Sequence, residues 1–162
     1  MTVRPLGDGD HEWAVAKLRE LWGDGVVSRG RMHDPAELPG FLAEEDGRPA
    51  GLLTYRIDGG ECEVVTINAF TQGSGAGTVL IEAAAAAARE AGARRLWLIT
   101  TNDNLRALRF YQRRGFRLSA LHRDALERSR ELKPSIPEIG LDGIPLRDEL
   151  ELELELELEL RL

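Results

Sequence analysis

Cysteine is all but missing: Cys62 is the only one in 162 residues, so no internal disulfide can form and nothing points to an oxidising compartment. No stretch approaches 18 consecutive apolar residues, and residues 1–9 are polar, with a proline and no apolar core of the kind a secretory leader needs. Membrane spanning and secretion are both disfavoured. Basic charge is in deficit, with 21 Lys and Arg against 28 Asp and Glu, a formal net charge of -7. A chain of that sign is a poor general binder of phosphate polyanions, so nucleic acid is not the expected partner. His11, His33 and His122 stand alone in the sequence, at no spacing that a metal site uses, and no metal is expected. What survives these exclusions is a cytoplasmic protein.

What is present is an ordinary globular mixture, 43% hydrophobic and 30% charged, at a length that supports one core. The acidity is uneven. Residues 147–162 hold seven acidic and two basic groups, a net of -5, which leaves only -2 for the rest. The expectation is a single domain over residues 1–146, with 147–162 as a strand or tail of the same domain.

The pattern along the chain alternates. Residues 2–6 read as a strand, and Asp10 precedes a run with Trp13, Ala16, Leu18, Leu21 and Trp22 at helical spacing. Residues 23–39 read as a loop with one helical turn, placed to sit over a cleft. Three apolar segments, 41–44, 50–57 and 61–70, are divided by Asp46-Gly47 and Asp58-Gly59-Gly60, a strong signal for antiparallel hairpins. The Ala-rich stretch 75–91 is a helix with Leu80, Ala84, Ala87 and Ala91 on one stripe, and Gly92 ends it.

Residues 95–100 are a strand, 103–114 a helix stopped by Gly115, 116–121 a strand and 124–133 a short helix; 137–146 is turn-rich. A strand, a helix and a strand in succession from 61 to 100 put two parallel neighbours into an otherwise antiparallel sheet. The fold class expected is therefore α/β, a mixed, mostly antiparallel central sheet with flanking helices.

The C-terminus places Leu at every even position from 150 to 162, with Glu between them as far as Glu159. Steps of two scatter side chains around a helix but keep them on one face of a strand, so strand is favoured over the helix preference of Leu and Glu. A strand of that length exceeds most, and its end is expected to fray or to pair with another subunit as a homodimer contact. The alternative is a low-complexity tail with no function.

Chemistry concentrates at Gln72-Gly73-Ser74-Gly75-Ala76-Gly77, between a strand and a helix N-terminus, where backbone N–H groups and the helix dipole favour a phosphate or pyrophosphate. A nucleotide-hydrolase loop would need Gly-Lys-Ser/Thr, but Thr78 follows Gly77 with no lysine. A dinucleotide fingerprint requires G-x-G-x-x-G after a first parallel strand, and this is G-x-G-x-G after antiparallel ones.

The cluster resembles the Gln/Arg-x-x-Gly-x-Gly/Ala motif of the GNAT superfamily of acyl-CoA-dependent N-acetyltransferases. Asn104, Ala107, Tyr111, Gly115 and Phe116 stand where such proteins carry Asn-x-x-Ala-x-x-x-Tyr and Gly-Phe. The resemblance covers roughly residues 1–121. It implies a GNAT-like sheet with its parallel pair splayed, acetyl-CoA as co-substrate and an amine as acceptor. It further implies that the backbone of Val65, Thr66 and Ile67 and the loop Gln72, Gly73, Ser74, Gly75, Ala76 and Gly77 hold the cofactor. Asn104 and Ala107 would line the pantetheine arm, and Tyr111 would be the general acid.

Asn104, Ala107 and Tyr111 lie at i, i+3 and i+7 and share a helix face, while Arg106, Arg109 and Arg113 share another, more in keeping with solvent. For the general base, Glu61 and Glu63 on the strand before the glycine loop share a face by the period of two. They are equally readable as solvated hairpin glutamates. Cys62 is at the wrong end of its strand for a covalent step. A non-catalytic acyl-CoA-binding or regulatory module is the alternative reading.

Overall fold

The computed structural model describes residues 1–156. The last part of the expected C-terminal strand, 157–162, lies outside the described residues. The chain forms two compact units: Met1–Val26 and Asp34–Leu96, joined by Glu155 and Leu156, and Val27–His33 with Trp97–Leu154.

The first unit contains β1 (Thr2–Pro5), α1 (His11–Trp22), β4 (Gly40–Glu45), β5 (Arg48–Asp58), β6 (Glu61–Ala69), α2 (Ala76–Glu90) and the start of β7 (Arg95–Thr101); β2 and β3, which lie between α1 and β4 in sequence, belong from Val27 on to the second unit. Its strand order is β1-β4-β5-β6 and then β7. The first three pairings are antiparallel. The expected turns hold, with Asp46 and Gly47 at φ 52° and 74° and Gly59 and Gly60 at 59° and 77°. Two successive positive φ values match the right-handed twist of the flanking strands.

α2 buries Leu80, Ile81, Ala84, Ala85 and Ala88, whereas Ala91, on the expected stripe, is exposed. The apolar face is one residue out of step with that stripe, because alanines surround the helix and only Leu80 and Ile81 mark its heavy side. Leu52, Leu53, Leu80 and Leu96 are completely inaccessible, each contributing about 1.5–3 kcal/mol of hydrophobic stabilisation.

The second unit contains β2 (Val26–Ser28, from its second residue) and β3 (Arg31–His33), the rest of β7, α3 (Leu105–Arg113), β8 (Arg117–His122), α4 (Ala125–Leu132) and β9 (Glu149–Glu155). Its order runs β7, β9, β8. The expected loop over 23–39 is corrected here: β2 and β3 form a hairpin. Its turn residues Arg29 and Gly30 sit at φ 51° and 74°, and arginine gives no sequence cue for such a turn. Taken by strand count, the fold class is the expected one, seven strands with one parallel pair and flanking helices.

β9 is a strand, as the Leu/Glu repeat implies, and lies between β7 and β8. Residues 149–155 therefore offer no free sheet edge to a second copy. Leu152 is fully buried, but so are Glu149 and Glu151, at 1% and 6% exposure. Glu149 accepts the Arg29 N–H at 3.1 Å, and Glu151 meets His122 Nε2 at 3.0 Å. The turn-rich return segment docks on the turn after β7. Asn102 Oδ1 accepts the N–H groups of Arg147 and Asp148, and Asp103 Oδ2 accepts that of Leu141 at 2.8 Å. No helix among the described residues is long and apolar enough to cross a membrane.

Candidate functional site

In the first unit, β6 is irregular where the resemblance places the thioester. Thr54 pairs with Thr66 and Tyr55 with Val64, so Val65 has no opposite residue on β5. Such a bulge removes one residue from the ladder and re-aims its backbone groups. Val65 and Thr66 are buried and Ile67 is half-buried. Beside the bulge the hydroxyls of Thr54 and Thr66 share a hydrogen bond of 2.6 Å.

β6 leads through residues 70–75 into α2. Gly73 and Gly75 have φ of +75° and +88°, and a Cβ added at either would meet nothing within 4 Å. These two positions favour glycine for their backbone, and the space above them is open. Ala76 N–H donates to Ser74 Oγ at 3.4 Å. The helix dipole makes this end of α2 positive. Gln72 is exposed, Ser74 half-buried, Ala76 and Gly77 buried.

The helix end is seated closely because Gly51 lies under it. A Cβ there would come within 3.1 Å of Ala76 Cβ and 2.8 Å of the Asn68 carbonyl oxygen. The arrangement suits a bound anion with a backbone-lined approach.

Glu61 and Glu63 are both engaged. Arg95 Nε donates to Glu61 at 2.9 Å, and Arg56 donates to Glu63 at 3.2 Å. Glu63 is 2% exposed, so it is not a solvated hairpin residue, while Glu61 opens to solvent. Between them Cys62 is buried, and burial, with the Glu63 charge second, pushes its thiol up to about 12. It stays a protonated thiol and has no nucleophilic character at neutral pH.

In the second unit, Asn104 is the N-cap of α3, its Oδ1 accepting the Ala107 N–H at 3.1 Å. The side-chain oxygen is thereby used, while Nδ2 has no hydrogen bond among the described residues. Ala107 is half-buried, one turn before Tyr111. Tyr111 is 8% exposed and packs against Phe110 and Phe116 at centroid distances of 5.4 and 5.6 Å. Burial raises its phenol above the usual value, so it is a donor throughout the neutral range. Arg106, Arg109 and Arg113 are exposed.

The predicted residues thus fall into two groups, Glu61 to Gly77 in the first unit and Asn104 to Tyr111 in the second. Thr54, Gly51 and the Asn102-Asp103 clamp ahead of Asn104 are added by the structure. Only the clamp carried a signal, the polar run Thr101-Asn102-Asp103-Asn104 between a strand and a helix. No group of three or more His, Cys, Asp or Glu among the described residues could hold a metal ion.

The family model described as "Acetyltransferase (GNAT) family" matches residues 8–116. Two proteins of Bacillus subtilis are similar. The uncharacterized protein YdhI is 44% identical over 70% of this chain and 72% of its own length, and the uncharacterized protein YxbD is 38% identical over 93% and 96%. Among solved structures, a GNAT family acetyltransferase from Elizabethkingia anophelis with acetyl-CoA bound is similar in fold. It has a TM-score of 0.71 and 21% identity over 96% of this chain and 97% of that one.

Proposed function

The chain belongs to the acetyltransferase (GNAT) family, and from that premise we propose that it moves an acetyl group from acetyl-CoA to a primary amine by direct attack. One observation carries the reading: a strand bulged at Val65 runs into a glycine loop whose Gly73 and Gly75 leave open space at a helix N-terminus. The open space above Gly73 and Gly75 leaves their backbone accessible to a pyrophosphate. Bound acetyl-CoA supplies an activated acyl group as a thioester.

The chain's own residues do the rest. Backbone N–H groups over Val65, Thr66 and Ile67 polarise the acyl carbonyl as oxyanion-type donors. Gln72, Gly73, Ser74, Gly75, Ala76 and Gly77 hold the phosphates, and the free Nδ2 of Asn104 donates to the pantetheine arm beside Ala107. Tyr111, kept protonated by burial, gives its proton to the departing sulfur. Glu61 is the better placed base, because its carboxylate opens to solvent while Arg95 orients it. Glu63 is sealed behind Arg56 and serves to hold the strand.

The test is mass spectrometry of the purified protein for CoA, followed by acetyl-CoA with a panel of primary amines and detection of a product heavier by one acetyl group. CoA retention with no acetylated product across the panel would favour an acyl-CoA-binding module. Absence of any acetyl-CoA binding would remove the proposal.

A further inference from the structure

The first unit holds a cleft of about 510 Å³ between the start of α1 and residues 35–39, a volume in the range of small-molecule sites. Leu6, Ala14, Leu18 and Leu38 give it an apolar wall, Asp8, Asp10 and Glu37 bring carboxylates to it, and among the described residues His11 is the one basic side chain that lines it. Asp10 is already committed, bonded by Arg4 at 2.7 and 2.9 Å and by the Gly7 N–H at 2.8 Å. Asp8 and Glu37 have neither an ion pair nor a side-chain hydrogen bond among the described residues. Two carboxylates without an ion pair, beside an aliphatic wall, suit an ammonium on an alkyl stem. They repel an anion and give a neutral hydrocarbon nothing beyond the wall.

The position of the cleft matters as much as its lining. Leu6 N–H donates to the Gly40 carbonyl, Gly40 lies opposite Thr54, and Thr54 opposite Thr66, the residue after the bulge. The sheet border of the cleft is therefore level with the bulge and two to three strands away, roughly 10–15 Å at the usual strand spacing. Both are on the α1 side: Asn68, which shares a face with Thr66, accepts the Trp22 Nε1–H at 2.8 Å.

We propose that this cleft anchors a second cationic group of the acceptor, and that the acceptor is an aliphatic diamine whose other amine reaches the bulge. This rests on the amine-acetylating reading above. It assigns Asp8 and Glu37 to specificity and not to the chemistry.

The full chain, without acetyl-CoA, is titrated calorimetrically with 1,8-diaminooctane and, for comparison, 1,8-octanediol. Saturable binding of the diamine and none of the diol is expected. Glu37→Gln and Asp8→Asn should each weaken binding up to about five-fold, and the double variant roughly ten-fold or more. Unchanged melting of the variants shows that the fold is intact. No saturable diamine binding, equal binding of the diol, or an unchanged affinity in the double variant overturns the inference. Stabilisation by acetyl-CoA is measured on the same samples. If it persists while diamine binding fails, only the diamine falls; if it fails, the acetyl-transfer reading falls with it.

Discussion

Two glycines frame α2 and separate the cost of a backbone conformation from the cost of losing a ligand. Gly75, at the N-terminal end, has φ +88°, and Gly92, just beyond the C-terminal end, has φ +77°; a Cβ at either would meet nothing within 4 Å. Alanine at each site has the same steric freedom and the same left-handed strain, about 1–2 kcal/mol. At about 2–4 °C per kcal/mol for a chain of this size, both Gly75→Ala and Gly92→Ala should melt roughly 2–8 °C lower without ligand.

With acetyl-CoA at a hundred times the wild-type Kd the two should part. The wild type and Gly92→Ala gain about 2.7 kcal/mol, or roughly 5–11 °C. In Gly75→Ala the new methyl group would stand where the proposed site brings the pyrophosphate to the backbone, and a ten-fold loss of affinity would leave about 1.4 kcal/mol, roughly 3–6 °C. Differential scanning fluorimetry of the three proteins, with and without acetyl-CoA, reads both numbers. An undiminished ligand shift in Gly75→Ala would refute the placement of the phosphates on this loop, and so would an equal loss in Gly92→Ala.

Asn104→Asp keeps the oxygen that caps α3 but removes the Nδ2 donor, so it should melt normally yet lose part of the acetyl-CoA shift. Asn104→Ala should also lose about 1 kcal/mol of stability with the cap, and chemical denaturation separates the two effects. Tyr111→Phe keeps the packing against Phe110 and Phe116 and should lower kcat by about 10²-fold, the modest end for a general acid, with little change in the acetyl-CoA shift; full activity would leave the thiolate to be protonated by solvent. The raised thiol of Cys62 sets an alkaline limit. Because its folded value, about 12, lies above the unfolded one, its contribution is complete below about pH 8.5 and is lost as pH rises towards 12. Cys62→Ala should therefore show a shallower fall of the urea midpoint between pH 8 and 11 than the wild type.

Hairpin turns, both long helices and the Leu/Glu strand were legible because each is written locally. Asp-Gly and Gly-Gly pairs supply the positive φ values, the Ala run has no other stable form, and a period of two has only one regular solution. The β2–β3 hairpin was not legible, since Arg29 at φ 51° is tolerated only in its tertiary setting. Neither was the burial of Glu63, Glu149 and Glu151. Alternation assigns such residues to solvent, whereas partners far away in sequence, among them Arg56, the Arg29 N–H and His122, offset the cost of their burial.

By itself the sequence determined which residues the proposed cofactor site draws on: a glycine loop ahead of an alanine helix, and Asn104, Ala107 and Tyr111 on one face of another helix. Those are consequences of backbone freedom and helical spacing, properties of short stretches. Tertiary structure alone decided what state these residues are in. The bulge at Val65 exists because β5 and β6 are out of register by one residue, and Tyr111 is held protonated because aromatic neighbours exclude water from it. The C-terminal repeat became an interior strand because β7 and β8 flank it on both sides. Register, burial and charge pairing depend on partners far apart in the chain, and no local pattern records them.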